Sequence, residues 1–163
     1  MKFSFKISLS IIILLSISRF IPHPPNFTSL LALSFYVPAI FGVKYIIILI
    51  LSFALTDLII GFHNTVLFTW GSVVLIGILS RLFFDSLEKR ILGSLIGALI
   101  FFIITNFGVW SLGNYTYTIE GFVACYVAAL PFYGNTFIST LLYSLIIEFI
   151  YKFVPLKQIG AIR

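Results

Sequence analysis

The sequence predicts an all-α integral membrane protein with six transmembrane helices plus one short re-entrant or interfacial helix. Three observations predict it. The 163-residue chain is 61% hydrophobic and 9% charged, with a mean hydropathy of +1.18, whereas soluble domains carry about 25% charged residues. Six apolar runs are each long enough to cross a hydrocarbon core of roughly 30 Å, which takes about 17 to 25 helical residues. The basic residues alternate with those runs so that nearly all fall on one side. One cysteine excludes an internal disulfide and a Cys-based metal cluster.

The spans are placed near 3–21, 27–43, 45–62, 65–83, 91–110 and 135–153, in a single domain covering 1–163. Lys2 and Lys6 precede the first span, which is expected to be a retained helix rather than a cleaved leader, and they set the N-terminus inside under the positive-inside rule. Threading the chain onward puts Lys2, Lys6, Lys44, Arg81, Lys89, Arg90, Lys152, Lys157 and Arg163 inside and only Arg19 outside. The net charge of +5 is therefore a topology signal and not a sign of nucleic-acid binding. Both termini are expected on the cytoplasmic side.

The stretch 119–134 is apolar enough to suggest another span, but its helical part up to Pro131 is about 20 Å long at 1.5 Å per residue. A seventh span would also move Lys152, Lys157 and Arg163 outside. It is therefore predicted as a short outer-side helix over 119–131, ended by Pro131 and Gly134. Pro38 is expected to kink or break the second span near Ser34. Gly93 with Gly97, Ser94 with Ala98, and Ala124 with Ala128 are small-residue pairs that let helices approach closely within the fold.

The polar residues divide unevenly between the two sides. Inside, Asp85 and Glu88 among basic residues, and Glu148 four before Lys152, are expected to be solvated or snorkelling charges. Outside, the proline-rich turn Arg19 to Thr28 cannot be helical, because its prolines remove donors and restrict their neighbours. It presents Arg19, His23 and Asn26 as one wall of a mouth. Asp57 lies about one turn below the outer end of the third span. An ionisable group there is a functional candidate by default; the alternative is a structural ion pair with Arg19 at similar depth, a pair that is also placed to form the floor of a site. His63, Asn106, Trp110, Tyr126 and Asn135 complete the candidate substrate-binding set.

His23 and His63 from separate turns, without a third ligand at characteristic spacing, do not predict a metal. Cys125 between Ala124 and Tyr126 is expected to serve packing. No catalytic triad context, Gly-rich phosphate loop or His-Glu-x-x-His occurs, so neither an enzyme nor a cofactor is predicted. Any uphill transport would draw its energy from another chain.

Several blocks carry a resemblance: Pro22-His23-Pro24-Pro25-Asn26-Phe27-Thr28, Asn106-Phe107-Gly108-Val109-Trp110, Cys125-Tyr126, Ala128-Ala129-Leu130-Pro131-Phe132 and Asn135-Thr136. Together they resemble a family of small uncharacterised bacterial membrane proteins, itself similar to the S-components of energy-coupling-factor (ECF) vitamin transporters. The resemblance implies an S-component-like domain in the bacterial cytoplasmic membrane that binds a vitamin-like small molecule from outside. It also implies a partner module of one membrane scaffold and two ATPases. S-components carry an Ala-x-x-x-Ala docking pattern in the first span, where this chain offers Ser4 with Ser8. The expected function is thus a substrate-binding subunit of a micronutrient importer. The rival is a non-catalytic accessory subunit of a larger membrane complex.

Overall fold

The computed structural model describes residues 2–153, with side chains from Ser8 onward. Six helices follow one another: α1 (Lys2–Phe20), α2 (Leu30–Phe41), α3 (Ile46–Ile60), α4 (Val66–Leu79), α5 (Leu87–Val109) and α6 (Ile119–Phe153). Short 3₁₀ turns at Val43–Tyr45 and Ser80–Phe83 and a π turn at Trp110–Asn114 lie between them. Among the described residues there is no strand. Lys157 and Arg163, two of the predicted inner basic residues, lie outside the described residues, as do the side chains of Lys2, Ser4 and Lys6.

Helix ends follow local chemistry. α1 stops just before Ile21, whose successor Pro22 disfavours a helical conformation at the residue it follows. Ser86 caps α5 by accepting from the Lys89 amide at 3.3 Å, and Thr118 caps α6 by accepting from the Gly121 amide at 3.1 Å. Such hydroxyls satisfy amides that have no partner within the helix.

α2 is the hub. Every residue from Leu30 to Ile40 is buried, and the helix packs against all five others. At 12 residues it is about 18 Å long, too short to span on its own. Being enclosed by protein, its ends need not reach the lipid headgroups, since irregular backbone is tolerated wherever protein or a water-filled cavity surrounds it. Pro38 does not break it: the helix runs through Ser34, whose hydroxyl bonds the Leu30 carbonyl at 2.7 Å, and ends three residues beyond the proline.

The region 119–153 corrects the prediction of a separate short helix. α6 is one helix of 35 residues that passes through Pro131 and Gly134. Proline removes a single ladder bond, whereas ending a helix in apolar surroundings leaves several backbone groups without partners. Continuity is the smaller cost. At about 52 Å, α6 is longer than a hydrocarbon core is thick.

The helices run alternately up and down. Arg19 near the end of α1 meets Asp57 near the end of α3, and Trp70 in the second turn of α4 bonds Asp57. Phe68 of α4 packs on Phe107 of α5, and Asn135 of α6 bonds the carbonyl of Pro25 ahead of α2. These groups define one end of the bundle, called here the upper end. Lys44, Arg81, Lys89, Arg90 and Lys152 all belong to the other end, leaving Arg19 as the one Lys or Arg side chain at the upper end among the described residues.

Four segments, Val43–Ile60, Val66–Phe83, Leu87–Asn114 and Ile119–Phe153, are long and apolar enough to cross a membrane. Large apolar side chains cover the outside, with Ile59, Leu67 and Ile119 at 74%, 78% and 80% exposure. A surface of that kind suits lipid rather than water.

Small residues set the helix spacing. Gly93, Ser94, Gly97 and Ala98 of α5 are all buried. A methyl group on Gly93 would lie 2.5 Å from the Phe83 Cβ and 2.7 Å from the Phe35 ring. Gly93→Ala is therefore expected to lower stability in detergent by about 1–3 kcal/mol. At Gly71 an added methyl meets nothing within 4 Å, so Gly71→Ala is expected to be neutral or to gain up to ~1 kcal/mol from helix propensity. Unfolding titrations of the two variants check this. On α6 the buried seam is Gly121, Cys125 and Ala129, while Ala124 and Ala128 face outward. The predicted Ala124/Ala128 contact is thus displaced by one position.

The lower end holds a second buried ion pair. Arg90 Nε donates to Glu148 Oε1 at 2.6 Å and Nη2 donates to Oε2 at 2.8 Å. The rings of Phe84 and Tyr151 flank the guanidinium at 5.5 and 5.3 Å. Glu148, expected as a snorkelling partner of Lys152, is 6% exposed and ties α6 to α5. Asp85, expected to be solvated, is exposed and pairs with the exposed Lys89 at 2.9 Å.

Candidate functional site

At the upper end the helices surround a cavity of about 500 Å³. Its position follows from the shortness of α2. Because that helix begins only at Leu30, the space above its first turn is left to side chains of the surrounding helices. Thr28, Leu30 and Leu31 form the base of the cavity.

The proline-rich turn forms one wall. The Phe27 amide donates to the Pro24 carbonyl at 3.0 Å, closing a turn with Pro25 second and Asn26 third. Proline pre-sets the second position, and the third takes a positive φ that Asn tolerates well; Asn26 has φ 63. Three contacts fix this turn to the bundle. Ser18 and Ser29 pair through their hydroxyls at 2.7 Å, Asn135 Nδ2 donates to the Pro25 carbonyl at 3.1 Å, and Ser139 Oγ donates to the Asn26 carbonyl at 3.5 Å.

Among the described residues, Arg19 is the one charged side chain that lines the cavity. Its Nη2 lies 2.7 Å from Asp57 Oδ1, with the two side chains 13% and 0% exposed. Nη1 donates to the Phe53 carbonyl at 3.3 Å and to the Thr56 hydroxyl. The guanidinium carbon sits 4.3 Å from the centre of the Phe53 ring. Asp57 Oδ2 accepts from Trp70 Nε1 at 3.0 Å, while Oδ1 has the guanidinium charge close by but no aligned hydrogen bond. The carboxylate is thus sealed behind the arginine, and the arginine faces the cavity.

Five of the nine predicted site residues, Arg19, His23, Asn26, His63 and Asn106, line the cavity together. The other four do not. Asp57 acts behind Arg19, and Asn135 holds the proline turn. Trp110 belongs to an aromatic cluster with Phe107, Tyr117 and Phe122, its indole N–H donating to the Thr116 carbonyl at 3.1 Å. Tyr126 packs on Phe102 and Phe122 and bonds the Ile103 carbonyl at 2.8 Å. Both aromatics stabilise the α5–α6 hairpin. Cys125 is buried, with its thiol directed at the Asn106 carbonyl at 3.5 Å.

Residues that the prediction missed supply most of the lining. Phe101, Phe102, Thr105 and Val109 form one stripe on α5 with the predicted Asn106. Thr65 and Thr69 lie one turn apart at the start of α4. Ala129, Phe132, Tyr133, Thr136 and Ser139 make a third stripe on α6. Their spacings of three and four are a helical face, which disappears if the helix is ended at Pro131. Treating 119–153 as unbroken would have revealed it.

The cavity hydroxyls mostly direct their protons at their own helices. Thr69 donates to the Thr65 carbonyl, Thr105 to Phe101 and Thr136 to Phe132, at 3.1, 2.8 and 2.9 Å, and the Asn106 amide donates to Phe102 at 2.7 Å. Their oxygens are then left to accept. Among the described residues no group of three or more His, Cys, Asp or Glu side chains gathers to hold a metal ion.

Neither the curated proteins nor the solved structures contain a match to this chain. A family model matches residues 1–161, nearly the whole length. The chain belongs to the family described as DUF6580, a family of unknown function.

Proposed function

We propose that the protein is the substrate-binding membrane subunit of a micronutrient importer of the ECF type, taking a small molecule from the outer side of a bacterial cytoplasmic membrane. The observation that carries this reading is the cavity of about 500 Å³ at the end of the bundle opposite the clustered basic residues. Its volume is in the range of small-molecule sites, and its walls combine aromatic faces with a few convergent polar groups, as such sites do. The positive-inside rule turns that end outward. Lys44, Arg81, Lys89, Arg90 and Lys152 would face the cytoplasm, with any ATP-driven partner.

A second reading, an accessory subunit of a larger membrane assembly, is favoured by the outward-facing Ala124 and Ala128. Such a pair admits a neighbouring helix.

A thermal-shift screen of the purified protein against vitamins and their precursors separates the two. Binding to the folded state is expected to raise Tm saturably, by RT ln(1 + [L]/Kd) in stability. No response, together with stoichiometric co-purification in a large complex, supports the accessory role and overturns the binding subunit.

A further inference from the structure

We propose that the cavity takes an organic acid: a planar monoanion whose ring carries N–H or O–H donors, with its carboxylate on Arg19. The inference rests on the binding-subunit reading and adds to it the chemical class of the ligand.

Charge comes first. Among the described residues, Arg19 is the one charged residue in the lining, and no carboxylate joins it there. Asp57 compensates the arginine from behind, fully buried, so the pair presents its positive end to the cavity. A guanidinium has five N–H donors. The hydrogen bonds that Arg19 makes to the Phe53 carbonyl and the Thr56 hydroxyl both come from Nη1. Among the described residues, Nε makes no hydrogen bond to the protein, and Nη2 lies 2.7 Å from Asp57 Oδ1 without an aligned hydrogen bond. An adjacent Nε–H and Nη2–H edge matches the two oxygens of a carboxylate.

The base of the cavity adds to this preference. Leu30 and Leu31, the first residues of α2, line it. The Leu30 amide is taken up by the Thr28 hydroxyl at 3.4 Å, so this terminus contributes the positive end of the helix dipole and not a free donor. Two positive ends thus meet one cavity.

The rest of the lining selects the body of the ligand. Phe53, Phe101, Phe102, Phe132 and Tyr133 give the lining an aromatic character. The hydroxyls of Thr69, Thr105 and Thr136 donate to their own helices and offer oxygen acceptors, as does the Asn106 side-chain carbonyl. Opposite such acceptors a ligand needs donors of its own. A bare hydrocarbon acid would leave them unpaired, and an amine would bring a positive charge to Arg19.

The test uses the purified full chain and direct binding measurements. Probes are indole-3-carboxylate, pyrrole-2-carboxylate and 4-hydroxybenzoate, each beside its primary amide, with benzoate as the acid without a ring donor and tryptamine as the cationic arm. At least one donor-bearing acid is expected to bind saturably, at least ten-fold tighter than its amide and several-fold tighter than benzoate. The double variant R19M/D57N removes both charges while keeping an acceptor for Trp70, and should erase the preference of acid over amide. Arg19→Lys, which keeps the charge but loses the fork, should weaken the acid by ten-fold or more. An amide or tryptamine binding as tightly as the acids overturns the anion assignment and leaves the binding subunit standing. Saturable binding in no arm overturns both.

Discussion

Glu148→Ala is expected to remove about 3–5 kcal/mol of stability, the typical cost of leaving one member of a buried ion pair without its partner. Arg90 would stay enclosed between Phe84 and Tyr151 with its two hydrogen bonds to the carboxylate gone. Unfolding titrations in mixed micelles give the loss. The double replacement R90L/E148L removes both charges and is expected to cost far less, because well-packed apolar residues often substitute for a buried pair without penalty. Equal losses in the single and double variants would mean that the two charges do not depend on each other. Glu148→Gln, which retains an oxygen acceptor, should fall between.

The corresponding change at the upper end is Asp57→Ala. It strips Arg19 of its counter-ion and leaves the Trp70 indole N–H with no acceptor. A loss of about 3–5 kcal/mol is expected here as well. This variant also reports optically. The protein has two tryptophans, so in a Trp110→Phe background Trp70 emission should shift when Asp57 is removed. Asp57→Asn keeps an oxygen for Trp70 and should shift it less. Unchanged emission in Asp57→Ala would show that the carboxylate does not hold the indole.

Much of this arrangement was legible in the residues. Asp57 and Arg19, each a costly charge at similar depth, pointed to one another, and they pair at 2.7 Å. Three prolines in four positions announced the turn, and Asn26 in the left-handed region is what Pro-Asn in a tight turn requires. The glycines of α5 pack within the fold as their spacing suggested.

What was hidden came mostly from one rule applied in the wrong medium. Pro131 and Gly134 end helices in water, where freed carbonyls are solvated; in lipid or a packed bundle the helix persists. Ending it there concealed the face from Ala129 to Ser139 and moved Asn135 from a structural tie to a site residue. Glu148 was assigned to Lys152 because four-residue spacing is visible in a sequence, whereas its contact with Arg90 spans 58 residues. Trp110 and Tyr126 were over-assigned for a related reason. Aromatic rings are abundant in this chain, and sequence alone does not separate those that face a cavity from those that clamp one helix to the next.

Sidedness is the claim on which the function depends. In a Cys125→Ser background, single cysteines at Asn64, exposed at the upper end, and at Glu88, exposed at the lower end, can be treated in intact cells with a membrane-impermeant maleimide. The account predicts that Asn64→Cys labels at once and that Glu88→Cys labels only after the membrane is permeabilised. The reverse pattern would put the cavity on the cytoplasmic face and contradict uptake from outside.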